Sequence, residues 1–179
     1  MRNQNQSIRN LVLAALMLAL AYILPNFTGN IPQIGAMLLP MHLPTILCGF
    51  LCGGPWGAAV GFIAPLMRSL LLTKPPMVPT AIAMAFELAT YGLVSGVLYR
   101  RLPKTLVGIY TALIGAMLCG RVVWGIVTAL LLLNGEGFTF AAFIAGAFTN
   151  AIPGIVLQLV AIPVVVLALQ KAKLIAQPA

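Results

Sequence analysis

Four ionisable side chains interrupt long apolar runs in this sequence: His42, Arg68, Glu87 and Arg121. His42 stands between Pro40 and Pro44, and Arg68 lies deep in the run WGAAVGFIAPLMRSLLL. A charge at the centre of a membrane helix costs about 2.5–3.5 kcal/mol on insertion scales, so it needs compensation from a partner or a polar cavity. Two arginines against one glutamate leave one surplus positive charge. A ligand carboxylate or phosphate would neutralise it, and Arg suits bidentate recognition of either. Asn150 joins this set because the neighbouring Pro153-Gly154 break frees backbone carbonyls.

Each residue also has a structural reading. His42 serves equally as an interfacial histidine bonded to backbone freed by its flanking prolines. Arg68 can snorkel to the surface, and Arg121 can pair with Glu87 to hold two helices together. Gln158 reads better as a bridge between helices than as a ligand contact. Trp56, Tyr99 and Trp124 suit an interfacial aromatic belt.

The elements that must position these side chains are membrane helices. The chain is 61% hydrophobic and 7% charged, where a soluble domain carries about 25% charge. Its mean hydropathy is +1.07. The net charge of +8 does not indicate nucleic acid, because the basic residues gather at helix ends. Residues 1–179 form a single domain in this reading. The organising stretch is Leu38 to Leu72, two apolar arms joined at Gly53-Gly54-Pro55. Each arm is about 17 residues, near the minimum for crossing a bilayer core.

Proline and glycine punctuation divides the chain into six segments: Ile8–Leu24, Met37–Cys52, Trp56–Thr73, Val78–Tyr99, Thr105–Leu133 and Thr139–Gln170. The expectation is an all-α membrane protein with six transmembrane helices in a compact bundle. The last segment has an alternative division, a short outer helix followed by a spanning one. MRNQNQSIRN and the apolar run after it resemble a signal peptide, but the run continues to Leu24 and is read as the first membrane helix. With the N-terminus inside, the cytoplasmic side holds Arg2, Arg9, Arg100, Arg101, Lys104, Lys171 and Lys173, and the outside only Lys74. The positive-inside rule therefore puts both termini in the cytoplasm. At about 1.5 Å per residue, His42, Glu87 and Asn150 lie about 7, 13 and 16 Å below the outer ends of their segments. By the same rise, Arg68 and Arg121 lie about 18 and 24 Å above the inner ends of theirs. The polar set thus belongs to the outer half of the bundle or the midplane.

Small residues recur four apart at Ala15/Ala19, Gly57/Gly61, Gly92/Gly96 and Ala116/Gly120. That spacing lets helix backbones approach closely, within the chain or against another subunit. Cys48, Cys52 and Cys119 read as small apolar thiols. The sequence has no GxxxxGK[ST] loop for binding ATP phosphates and no HExxH metal motif. With one histidine and two acidic residues, it offers few players for acid–base catalysis. No cofactor is expected.

These features together resemble the substrate-binding S component of energy-coupling factor (ECF) vitamin transporters. The resemblance covers essentially the whole chain. It rests on LVLAALMLALAYILP with its Ala-xxx-Ala motif at Ala15 and Ala19, on MHLPTILCGFLCGGPWGAAVGFIAPLMRSLL, on PTAIAMAFELATYG and on TNAIPGIVLQL. It implies a multi-pass protein of a prokaryotic cell membrane, not an enzyme. Such a protein captures a small vitamin or nutrient on the outer face and associates with a membrane coupling subunit and two ABC ATPases. ATP-driven toppling in the membrane then delivers the ligand. Ala15 and Ala19 would contact the coupling subunit. The loop from Pro25 to Ala36 would cap the pocket, with Asn26, Asn30 and Gln33 as lid contacts. The surplus arginine favours an anionic vitamin such as pantothenate; pyridoxine or a thiamine precursor are alternatives. The competing class is a membrane-embedded structural or assembly subunit with no ligand. A lipid-modifying enzyme is a third reading, disfavoured by the scarcity of carboxylates.

Overall fold

The computed structural model describes residues 2–28, 37–133 and 139–172, with side chains from Gln6 onward. Its helices are α1 (Arg2–Ile23), α2 (His42–Cys52), α3 (Gly54–Leu72), α4 (Ile82–Arg101), α5 (Leu106–Leu131), α6 (Phe140–Ala147) and α7 (Ile152–Lys171). Short 3-10 turns follow α1 (Leu24–Thr28) and precede α7 (Thr149–Ala151), and a wide helical turn, Met77–Ala81, leads into α4. Among the described residues, five helical stretches are long and apolar enough to cross a membrane: Gln6–Phe27, Gly54–Leu72, Met77–Arg101, Leu106–Leu131 and Phe140–Lys171.

One expectation is corrected, and one division left open by the sequence is decided. The second segment is not a full-length spanning helix. Its helix begins only at His42 and runs 11 residues, about 16 Å at the α-helical rise. Pro40 lacks the N–H that a continued helix would need, and Leu39 before it takes a left-handed backbone with φ 50°. His42 therefore opens α2, donating its N–H to the Leu39 carbonyl at 3.0 Å. The last segment takes the divided form. The backbone leaves helical geometry at Phe148 (φ −126°, ψ −62°), so α6 is a short helix set off from α7.

Helix α4 is the centre of the bundle and packs against α2, α3 and α5, while α1 lies across α2 and α3. The α2–α3–α4 contact is a glycine seam. A Cβ built at Gly92 would fall on the backbone of Gly57, and one at Gly57 would meet the Gly92 carbonyl and the backbone of Gly49. Gly61 and Gly96 are equally closed in, by the Leu88 carbonyl and by the backbone of Gly49 and Gly54. The small-residue pairs on α3 and α4 thus face each other, and the backbones touch where larger side chains would hold them apart. Gly53 (φ 98°) alone separates α2 from α3, in a conformation that favours glycine.

Arginines secure both ends of the bundle. At one end Arg100 donates from Nη2 to the Cys52 carbonyl at 2.9 Å, at the C-terminus of α2. At the other, Arg68 donates from Nη1 to the Tyr22 carbonyl at 2.6 Å and from Nη2 to Asn26 Oδ1 at 3.0 Å. Both satisfy carbonyls that a helix C-terminus leaves unpaired, where a cation is also favoured by the helix dipole. The Arg100 end is tied further by Gln170, which donates from Nε2 to the Tyr99 hydroxyl (2.8 Å) and the Lys104 carbonyl (3.1 Å). Cys48 and Cys52 are buried free thiols, and Cys119 is exposed.

Candidate functional site

The packing of α2, α4 and α5 brings three of the four ionisable residues together. Glu87 sits five residues into α4, and Arg121 ten residues before the end of the antiparallel α5. Arg121 donates from Nη1 to Glu87 Oε1 at 2.8 Å. His42 Nε2 approaches the same oxygen to 3.4 Å, without the alignment of a hydrogen bond. All three are buried: His42 and Glu87 are 1% exposed and Arg121 5%. Tyr91, one turn beyond Glu87, closes over the imidazole edge-on with ring centroids 5.1 Å apart. Gly120 makes room for that ring, since a Cβ there would lie 3.1 Å from three Tyr91 ring atoms.

The site is under-satisfied. Among the described residues, the buried side-chain atoms without a hydrogen-bond partner belong to His42 (Nδ1, Nε2), Arg121 (Nε, Nη2), Thr128 (Oγ1) and Gln158 (Nε2, Oε1). Buried polar groups are normally paired, because an unmade bond forfeits the group's hydration without return. Unsatisfied buried atoms on so few side chains make these residues the candidates for contact with a polar ligand. The two unpartnered arginine nitrogens, Nε and Nη2, form one edge of the guanidinium. Glu87 engages Nη1, and the Tyr91 side chain lies against both Glu87 and Arg121; Nε and Nη2 make no well-aligned hydrogen bond and are the two parallel donors that a carboxylate accepts bidentately.

Gln158 stands on α7, whose inward stripe shares the core around the cluster. That helix packs against α2 and α5, and its Gly154 lies so close to Met37 and Leu38 that a Cβ would sit 2.6 Å from the Met37 carbonyl oxygen. Ile155, Leu159, Ile162 and Val166 of α7 belong to the core that holds Met41, Leu88, Tyr91 and Met117, the near neighbours of His42, Glu87 and Arg121. Gln158 is 0% exposed within that inward stripe.

The remaining sequence-predicted residues lie elsewhere. Arg68 is buried at the C-terminus of α1, engaged with Tyr22 and Asn26. The surplus cation counted in the sequence is therefore not in the cluster, where one guanidinium faces one carboxylate. Asn150 is exposed in the turn between α6 and α7. Asn30 and Gln33 lie outside the described residues. Ala15 and Ala19 are exposed on α1, on a face shared with Leu11, Val12, Leu16 and Leu20, whereas Ala14, Met17 and Ala21 turn inward. Tyr91 and Thr128 escaped the sequence reading. Their helical spacing from Glu87 (four residues) and Arg121 (seven residues) is the signal that would have found them.

No curated protein and no solved structure matches the chain. A family model does: that of the ECF transporter substrate-specific component, over residues 9–166. With most of the chain matched and an all-helical membrane architecture around a buried polar cluster, the chain belongs to the family of substrate-specific components of ECF transporters.

Proposed function

We propose that this protein is the capture subunit of an ECF-type importer, binding a small water-soluble vitamin or related nutrient, preferentially an anionic one such as pantothenate. The observation that carries this reading is the Nε/Nη2 edge of Arg121, which makes no well-aligned hydrogen bond inside a buried site. It takes over the argument for an anion that the sequence had rested on a surplus arginine. Glu87 orients the guanidinium, and His42 and Gln158 offer further polar contacts. Arg68 acts through the turn that follows α1, where it holds Asn26. Asn30, Gln33 and Asn150 supply contacts at the mouth.

Residues 1–179 act as one unit in a prokaryotic plasma membrane, crossing it six times when α2 and the residues leading into it count as one pass, with both termini cytoplasmic. The exposed Ala15/Ala19 face of α1 meets the membrane coupling subunit, which bears two ABC ATPases. ATP-driven toppling of the bundle delivers the ligand inward. The family's members are transport subunits, not enzymes, and no catalytic residue is assigned.

Native mass spectrometry of gently purified protein, followed by thermal unfolding against a vitamin panel, tests this. A retained vitamin whose affinity collapses in Arg121→Gln is the expected result. Unchanged affinity in that variant removes Arg121 from the site. A protein that carries no ligand, responds to no vitamin and co-purifies with no ATPase moves the assignment to a structural subunit.

A further inference from the structure

Gln158 is the residue of the proposed site whose partner in the ligand is still unassigned. Its amide is fully buried, and among the described residues neither Nε2 nor Oε1 has a hydrogen-bond partner. The residues around it on α7, Ile155, Leu159, Ile162 and Val166, all pack into the apolar core. A leucine at position 158 would continue that stripe and leave nothing unsatisfied. A glutamine that merely joined helices would show at least one bond to a neighbour. This one presents a donor and an acceptor side by side, from a stripe that shares its core with Leu88, Tyr91 and Met117, the neighbours of Glu87 and Arg121.

We infer that Gln158 is a specificity-determining residue that pairs with an amide or ureido group of the ligand while Arg121 takes its carboxylate. The inference rests on the importer reading above and narrows its substrate to carboxylic acids that also carry an amide-type donor–acceptor pair. A side-chain amide matches such a group twice over: its N–H donates to the ligand carbonyl and its carbonyl accepts the ligand N–H. An analogue lacking that group strands both Gln158 atoms in the core, which is how a site built on hydrogen bonds rejects a near-isostere.

The test uses the full-length protein in detergent, wild type and Gln158→Leu. Without ligand, Gln158→Leu is expected to unfold at the same temperature as wild type or higher, since it removes two unsatisfied buried atoms. Pantothenate (acid plus amide) or biotin (acid plus ureido) should stabilise the wild type, and binding of that probe should weaken by about tenfold or more in the variant. Nicotinate, an acid without an amide, should bind both proteins alike or neither. A ligand-free unfolding temperature several degrees lower in Gln158→Leu overturns the inference, because the amide is then structural. Wild-type affinity in the variant overturns it too, as does a wild type that neither pantothenate nor biotin stabilises. A co-purified vitamin lacking both groups would remove this inference while leaving the importer reading standing.

Discussion

Replacing Arg121 with Gln removes the partner of a carboxylate that is 1% exposed. At an effective dielectric of about 20, unit charges separated by the 2.8 Å of the Arg121–Glu87 contact attract by about 6 kcal/mol. Much of that attraction offsets the cost of having removed both charges from water. The net effect of breaking the pair is expected to be about 3–5 kcal/mol of lost stability for either Arg121→Gln or Glu87→Gln, because each leaves the other charge buried and unpaired. The double variant places two neutral amides there and should lose clearly less than the sum of the singles. Reversible unfolding in mixed micelles of increasing denaturing-detergent fraction, followed by Trp56 and Trp124 fluorescence, gives all three values. If the single losses add to the double within about 0.5 kcal/mol, the two residues are not coupled, and Glu87 does not hold Arg121 for the ligand. If the singles are each below about 1 kcal/mol, the site is wet and the burial argument fails.

The other predictions concern the frame. Gly92→Val should destabilise by about 3 kcal/mol or more in the same unfolding assay, because its Cβ would meet the Gly57 backbone, which cannot rotate away. Gly115→Ala is the control: its Cβ would meet only the Leu98 Cδ1 atom, at 2.9 Å, and a loss as large as that of Gly92→Val would discredit the seam. Arg68→Gln gives up charged hydrogen bonds to Tyr22 and Asn26, worth about 1.5–3 kcal/mol. Hydrogen exchange at Leu24–Thr28 should accelerate, and unchanged protection would show that Arg68 does not hold that turn. Ala19→Leu adds bulk to an outward face and should shift unfolding by no more than about 0.5 kcal/mol while abolishing co-purification with the coupling subunit. Retained co-purification would place the partner on another face.

Much of this protein is written in local composition. Long apolar runs with almost no charge permit only helices in a membrane, since each backbone polar group must then be satisfied within its own segment. Proline and glycine mark where those helices stop, and the expected segment ends at Cys52, Thr73 and Tyr99 fall within two residues of the ends of α2, α3 and α4. The pairs Gly57/Gly61 and Gly92/Gly96 were legible as close-packing positions because helical spacing alone puts them on one face. The rarity of ionisable residues at membrane depth singled out His42, Glu87 and Arg121 before any contact was known.

Tertiary structure decided which of those residues meet. Arg68 and Arg121 look alike in sequence, each a lone cation in an apolar helix. Packing hands one to the carbonyl-rich end of α1 and the other to Glu87, a choice that depends on which helices adjoin and in what register. The start of α2 at His42 follows from the turn at Leu39–Met41, whose left-handed Leu39 no residue preference announces. Gln158 shows the difference most plainly. In sequence it is one polar residue in an apolar helix and reads better as a bridge than as a ligand contact; only the positions of its neighbours reveal that nothing in the described protein answers its amide. Helices are local, and one chain segment suffices to specify them. The cluster of His42, Glu87 and Arg121 is an agreement among three segments, and it exists only once they pack.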